Sequence, residues 1–352
     1  MAFTQFAFPS PLRLNSRIGI TAPSGGLSAP FHKRLDLVID HLRSRGYQVT
    51  EGKCLREERK PVSAEKSLRA SELQKFLLDD DLDAIMPPWG GEVLIEILPL
   101  LDFELIGKAK PKWVTSYSDI STLHFALTTR TGLATAHSPN LVDLAPSKAE
   151  SNDLLTRKIF DILTASPGDI ISQLSSAYFK KSGRLDLEND PTAVFMPDQP
   201  SQWKSLQGLP KSHFKGRLIG GCLDTISCLT GTPNGQLENF KKVAGKDGVI
   251  FYFENCEGSP PTVVRMIQNL RQAGWLDEVA GILIGRSSGP DASNENALTY
   301  KEALDWALGD INVPVVFDSD IGHQPPQMTL VNGALAEVFY EEGLGKVTQQ
   351  LS

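Results

Sequence analysis

Lys112-Trp-Val-Thr-Ser-Tyr-Ser-Asp119, continued by Ile120-Ser-Thr-Leu-His-Phe-Ala-Leu-Thr-Thr-Arg-Thr-Gly132, reads as a short apolar strand that breaks at a serine into a run of helical period. A strand followed at once by a helix is half of a βαβ unit. The next residues, LATAHSP (133–139), read as the strand that would complete it. Moving outward toward the N-terminus, the same alternation recurs: RIGITAP (17–23), a helix around 30–45, YQVTEG (47–52), a helix through 64–79, DAIMPP (83–88) and a helix from 92. The first half therefore predicts a Rossmann-like, mostly parallel sheet with helices on both faces. Ligands of such sheets sit at the carboxyl ends of the strands. Three of those ends carry unusual chemistry, APSGG (22–26), PPWGGE (87–92) and SYSD (116–119), and they are expected to converge on one crevice.

Toward the C-terminus, residues 165–215 become rich in Pro, Gly, Ser, Asp and Lys, and a second alternation follows. It comprises GRLIGG (216–221), a short helix from 223, GVIFYFE (248–254), a helix from 260, AGILIGR (280–286), a helix at 298–308, VPVVFD (313–318) and a terminal hairpin in TLVNGALAEVFYEEG. Ser259 before Pro260 suits a helix start. The expected organisation is an N-terminal α/β domain (1–165), a linker or active-site loop (166–215) and a smaller C-terminal β/α domain (216–352).

Composition supports this. With 352 residues, 41% hydrophobic and 22% charged, the chain is long enough for two cores, and disorder, collagen and coiled coil are excluded. The net charge of −7 and the lack of long basic runs argue against nucleic acid polymers and anionic membranes as partners. No apolar run reaches membrane-spanning length and no secretory pattern opens the chain, so a cytoplasmic protein is expected. Cys54, Cys222, Cys228 and Cys256 lack metal or disulfide spacing and read as reduced thiols. Neither a metal site, nor a P-loop, nor a GxGxxG fingerprint occurs, so no cofactor is expected.

Two readings fit Ser118. At a strand-to-helix break it can be a nucleophile, raised from the sheet edge beside free helix amides, or it and Asp119 can simply cap the helix. A nucleophilic serine needs a base and a group that orients the base. Of six histidines, His32, His41, His124 and His213 fall on helix faces or in the linker; His137 ends a strand that could line the crevice, and His323 lies in a Gly/Pro-rich loop after VPVVFD. Glu254 ends a strongly apolar strand, where an unpaired carboxylate is costly. Glu257 and Asp320 compete with it, but their loops are polar. Gly90 and Gly91 permit close backbone approach to a substrate carbonyl, or form a tight turn.

Taken in order, Ala22-Pro-Ser-Gly25, Trp89-Gly-Gly91, Tyr117-Ser-Asp119, Gly220-Gly-Cys-Leu223 with Leu229-Thr-Gly-Thr232, Phe253-Glu254 and Gly322-His323 resemble the LD-carboxypeptidase family of serine peptidases, including its microcin C self-immunity branch. The resemblance implies a triad of Ser118 (nucleophile), His323 (base, then acid) and Glu254 (orienting carboxylate). It also implies an oxyanion hole from the amides of Gly90 or Gly91 and Asp119, and a homodimer. Ser116 departs from the family's usual glycine. The long 165–215 region resembles the self-immunity branch, whose members cleave an amide in an aminoacyl-nucleotide analogue. Trp89 and Trp203 are the candidate substrate-binding aromatics, Trp203 as a base-stacking lid or as a packed linker residue. The alternatives are a murein tetrapeptide LD-carboxypeptidase, for which Arg286 or Lys112 could supply carboxylate-binding charge, and an inactive binding protein of the same fold.

Overall fold

The computed structural model describes residues 3–146, 154–181 and 185–352. Four short parallel strands form the N-terminal sheet, in the spatial order Gln48–Glu51, Arg17–Ile20, Ala84–Ile85, Trp113–Val114. The chain steps outward in one direction from Arg17–Ile20 and then returns to its other side, so a topological switch point falls between Arg17–Ile20 and Ala84–Ile85. The segments 22–26 and 87–92 leave the sheet at that point. Helices His32–Ser44, Lys66–Leu78 and Ile120–Thr131 cover the sheet.

Among the described residues the C-terminal sheet has eight strands. Its centre is a parallel run in chain order, Lys211–Cys222, Val249–Glu254, Gly281–Gly285 and Val315–Ser319. Every residue of Val249–Glu254 is buried, which explains why that strand reads as a continuous apolar run rather than an alternation. Leu335–Glu341 and Leu344–Gln350 form the terminal hairpin, turning on Glu342 (φ 46°) and Gly343 (φ 92°), the positive-φ pair that matches strand twist. The 166–215 stretch supplies strands Ile170–Leu174 and Lys204–Ser205 to opposite edges of this sheet, and the long central strand already begins at Lys211.

One expected element lies elsewhere. Thr135–His137 does not extend the N-terminal sheet; it pairs antiparallel with Leu330–Asn332, a segment expected in the terminal hairpin. The two halves are thus tied by a ladder to which each contributes one strand. The helix Ile120–Thr131 is the second tie. It is buried from Ile120 through Thr129, because one side meets its own sheet and the other meets the C-terminal half. Phe125 stacks on Trp275 (centroids 4.4 Å), Arg130 Nη1 donates to Asn234 Oδ1 at 3.0 Å, and Cys222 N donates to Ser121 Oγ at 3.0 Å.

Candidate active site

Ser118 sits where the Trp113–Val114 strand turns into the Ile120–Thr131 helix. Its φ is 62°, Asp119 returns to −59° as the cap, and the hydroxyl is lifted to the rim of a cavity of about 770 Å³ between the domains. Ser116 is also left-handed, at φ 96°, where a side chain is strained. Ser138 holds that backbone on both sides: Ser116 N donates to Ser138 Oγ and Ser138 N to Ser116 O, each at 3.0 Å. The Ser116 hydroxyl donates to Asn140 Oδ1.

Asp119 is buried, which pushes its carboxyl pKa up. Hydrogen bonds from Ser24 Oγ (2.5 Å), Leu94 N (2.8 Å) and Thr122 Oγ1 (3.3 Å) favour the ionised form and pin the loop after Trp89 to the helix start. The first amides of a helix have no intrahelical acceptor, so Asp119 N–H is available to an oxyanion. Gly90 lies against the same spot. A methyl added there would stand 2.7 Å from Ser118 Cβ and 2.8 Å from Asp119 N. Gly25 N donates to Gly90 O at 3.1 Å; in a trans peptide this turns the Gly91 N–H away from Gly25. Trp89 lines the cavity, its Nε1 bonded to Gly26 O and its ring edge-on to Phe31.

Glu254 ends its strand fully buried, and His323 Nδ1 lies 2.9 Å from Glu254 Oε2. A carboxylate only accepts, so Nδ1 carries a proton, and in the neutral imidazole Nε2 is the acceptor. The other carboxylate oxygen, Oε1, is buried without a hydrogen bond. Gly322 makes the pair possible: at φ 97°, a Cβ would lie 2.5 Å from Glu254 Oε2. Burial disfavours the His323 imidazolium, but Glu254 and Cys256 outweigh it and hold the pKa well above the ordinary histidine value. Tyr117 packs its ring on His323, with centroids 4.7 Å apart. Ser118, His323, Gly90, Gly91 and Trp89 share the walls of one cavity with Cys256, Lys180 and Lys181.

Other candidates fall outside it. Trp203 is 1% exposed, and its Nε1 donates to Asp320 Oδ2 at 2.8 Å within the C-terminal core, so the structure corrects the lid reading to a packed one. His137 is buried behind Tyr117 and Tyr252 rather than lining the crevice, and burial drives its pKa well below the ordinary value. Lys112 Nζ is spent on the carbonyls of Leu77 and Lys110, and Arg286 is paired with Asp320 at 2.7 Å. Asp320, expected to be solvated, is fully buried. Sequence reasoning passed over Tyr117 as a partner of His323, and Cys256 as a cavity residue. The adjacency of Tyr117 to Ser118 was the available signal for the first. Among the described residues, no cluster of His, Cys, Asp or Glu is placed to hold a metal, and no helix is long and apolar enough to cross a membrane.

Comparison with known proteins gives the family. Residues 18–138 match the LD-carboxypeptidase N-terminal domain and residues 215–338 the LD-carboxypeptidase C-terminal domain. The chain belongs to the LD-carboxypeptidase family. Within that family it is 26% identical to a probable murein peptide carboxypeptidase of Bacillus subtilis, over 93% of this chain and 90% of that protein. It is 23% identical to the microcin C7 self-immunity protein MccF of Escherichia coli, over 97% and 95% respectively. The solved structure of MccF with glutamyl sulfamoyl guanosine superposes with a TM-score of 0.81 at 22% identity, covering 97% of this chain and 98% of that one, a likeness of fold. LD-carboxypeptidase family membership brings the peptidase class; both kinds of relative match nearly end to end.

Proposed function

We propose that the protein is a serine amidase that cleaves a small peptide-like or aminoacyl-nucleotide substrate through Ser118, His323 and Glu254. The observation that carries the reading is the buried Glu254 bonded at 2.9 Å to His323 on the wall of the cavity that Ser118 also lines. Ser118 Oγ attacks the carbonyl as His323 Nε2 takes its proton, and the oxyanion is received by the amides of Gly91 and Asp119. His323 returns the proton to the leaving amine. Water then repeats the sequence on the acyl-enzyme, releasing the acid and restoring Ser118.

Glu254 fixes the tautomer and stabilises the imidazolium. An amine leaving group is consistent with a base held above the usual histidine range, since its conjugate acid forms readily and is retained until the C–N bond breaks. The test is mass-spectrometric product analysis of wild type and Ser118→Ala, each offered a murein LD-tetrapeptide and an aminoacyl sulfamoyl adenosine. Cleavage by wild type alone supports the triad and selects the substrate. Equal cleavage by the alanine variant overturns it, and labelling of Ser118 by a fluorophosphonate without cleavage of either compound removes the substrate assignment.

A further inference from the structure

Cys222, Cys228 and Cys256 line a second pocket of about 190 Å³, which shares Ser118 with the main cavity. One residue gathers them. Asp224 Oδ2 accepts from Cys256 N at 2.7 Å and lies 3.5 Å from Cys222 Sγ, while the Asp224 carbonyl oxygen lies 3.6 Å from Cys228 Sγ. Asp224 Oδ1 accepts from the amides of Glu257 (3.1 Å) and Gly258 (2.9 Å), so one carboxylate collects three successive N–H groups. From the other side Ser288 Oγ donates to Cys256 O at 3.0 Å. The backbone of Cys256 is thus held through both its amide and its carbonyl, two residues beyond Glu254, and the thiol is presented at a fixed place.

The three thiols differ in what they can reach. Cys222 is 1% exposed and closed off from the main cavity, and Cys228 faces solvent on the far wall of the smaller pocket. Cys256 is half-buried and lines both spaces, beside Ser118 in each and beside His323 in the larger one. It stands close enough to His323 to help hold the imidazolium. His323 therefore adjoins two nucleophiles, the Ser118 hydroxyl and the Cys256 thiol, and its neutral form can take a proton from either. The thiolate so formed is the attacking species of thiol–disulfide exchange.

We propose that Cys256 is a thiol-modification site, reached through the main cavity by small disulfides, and that the adduct switches the hydrolase off reversibly. The Cys256 sulfur, its proton passed to His323, attacks one sulfur of the disulfide. A new S–S bond forms as the old one breaks, and the other half leaves as a thiolate that takes the proton back. The bound half then occupies the space between Ser118 and His323 that a substrate carbonyl needs. A free thiol in excess reverses the exchange and reopens the site. The inference rests on the amidase reading above and adds to it a control by the thiol–disulfide balance.

The test treats the full chain under native conditions with hydroxyethyl disulfide. Adducts are located by peptide-mapping mass spectrometry, and the site is read by the rate of fluorophosphonate labelling at Ser118. Wild type is expected to gain one hydroxyethylthio group at Cys256 and, in step with it, to lose labelling by about 10²-fold, which is what displacing a reacting group by about 1 Å costs. Dithiothreitol should remove the group and restore the rate. Cys228→Ser should be inhibited as wild type is, whereas Cys256→Ser, whatever its own rate, should label equally before and after treatment. An adduct confined to Cys228, a Cys256 adduct that leaves labelling unchanged, inhibition of Cys256→Ser, or a Cys222–Cys256 disulfide in place of the adduct overturns the proposal. The two readings fail separately: untreated wild type that never labels refutes the amidase reading, whereas a labelled enzyme whose Cys256 stays unmodified refutes the modification site alone.

Discussion

Gly90→Ala puts the smallest possible side chain into the site and nothing else. The new methyl would begin 2.7 Å from Ser118 Cβ, 2.8 Å from Ser118 Oγ and 2.8 Å from Asp119 N. Carbon contacts settle near 3.5–4.0 Å, so either Ser118 or the 89–91 backbone must retreat by roughly 0.7 Å or more. A shift of about 1 Å in a reacting group costs about 10²-fold, and loss of one oxyanion donor costs about 10²–10³-fold. Because one movement causes both losses they overlap rather than multiply, and kcat is expected to fall by about 10²-fold at least, near 3 kcal/mol in the barrier. The stability cost should stay within about 1–3 kcal/mol, since the methyl faces a cavity into which the loop can relax. The assay is the rate of fluorophosphonate labelling at Ser118 beside turnover of whichever amide is cleaved, with thermal unfolding to verify the fold. A folded Gly90→Ala enzyme that labels within about threefold of wild type would mean that Gly90 does not adjoin the nucleophile as described.

Four more outcomes are expected. Because Glu254 holds the His323 pKa above its ordinary 6.5, the acid limb of kcat/KM should have its midpoint above that value; Glu254→Gln should move the midpoint down and lower kcat by about 10³-fold, and an unmoved midpoint would dissociate the pair. A raised histidine pKa contributes stability that is fully present below 6.5 and is lost as pH rises through the raised value, so the margin of wild type over Glu254→Gln in urea titrations should be widest at acid pH. Arg286→Met, which strands the fully buried Asp320, should destabilise by about 3–5 kcal/mol in denaturant titration, whereas Arg286→Met with Asp320→Leu should cost less; the reverse order would contradict the pairing. At Ser116, alanine keeps the positive φ and loses the hydroxyl, so Ser116→Gly should be more stable than Ser116→Ala by roughly 1 kcal/mol, and equal stabilities would show that the 96° backbone carries no strain.

Much of this architecture is written locally. Strands such as Val249–Glu254 and helices such as Pro260–Gln272 carry their own period and stops, and Glu254 announces itself as a charge at the end of an apolar run. What escapes a local reading is set by distant partners. Nothing near Thr135–His137 says that its ladder partner is Leu330–Asn332, because a three-residue strand carries no record of what it pairs with. Asp320 looks solvated amid polar neighbours, yet Arg286, Trp203 and Ser176, all remote in the chain, bury and bond it. Trp203 was open between two roles for the same reason. Edge strand Ile170–Leu174 reads as loop because its pattern is inverted, Gln173 being buried while Ile170 and Leu174 face water, and Lys204–Ser205 is only two residues long.

The ladder between Thr135–His137 and Leu330–Asn332 also sets an order of events during synthesis. The half that carries Ser118 leaves the ribosome roughly 190 residues before the strand that completes it, a wait of roughly 10–40 s at about 5–20 residues per second. For nearly all of that interval Ser118 lacks both His323 and the C-terminal wall of its cavity. On the proposed mechanism a nascent or prematurely ended chain cannot turn over an amide, and competence arrives only with the last strands of the C-terminal half.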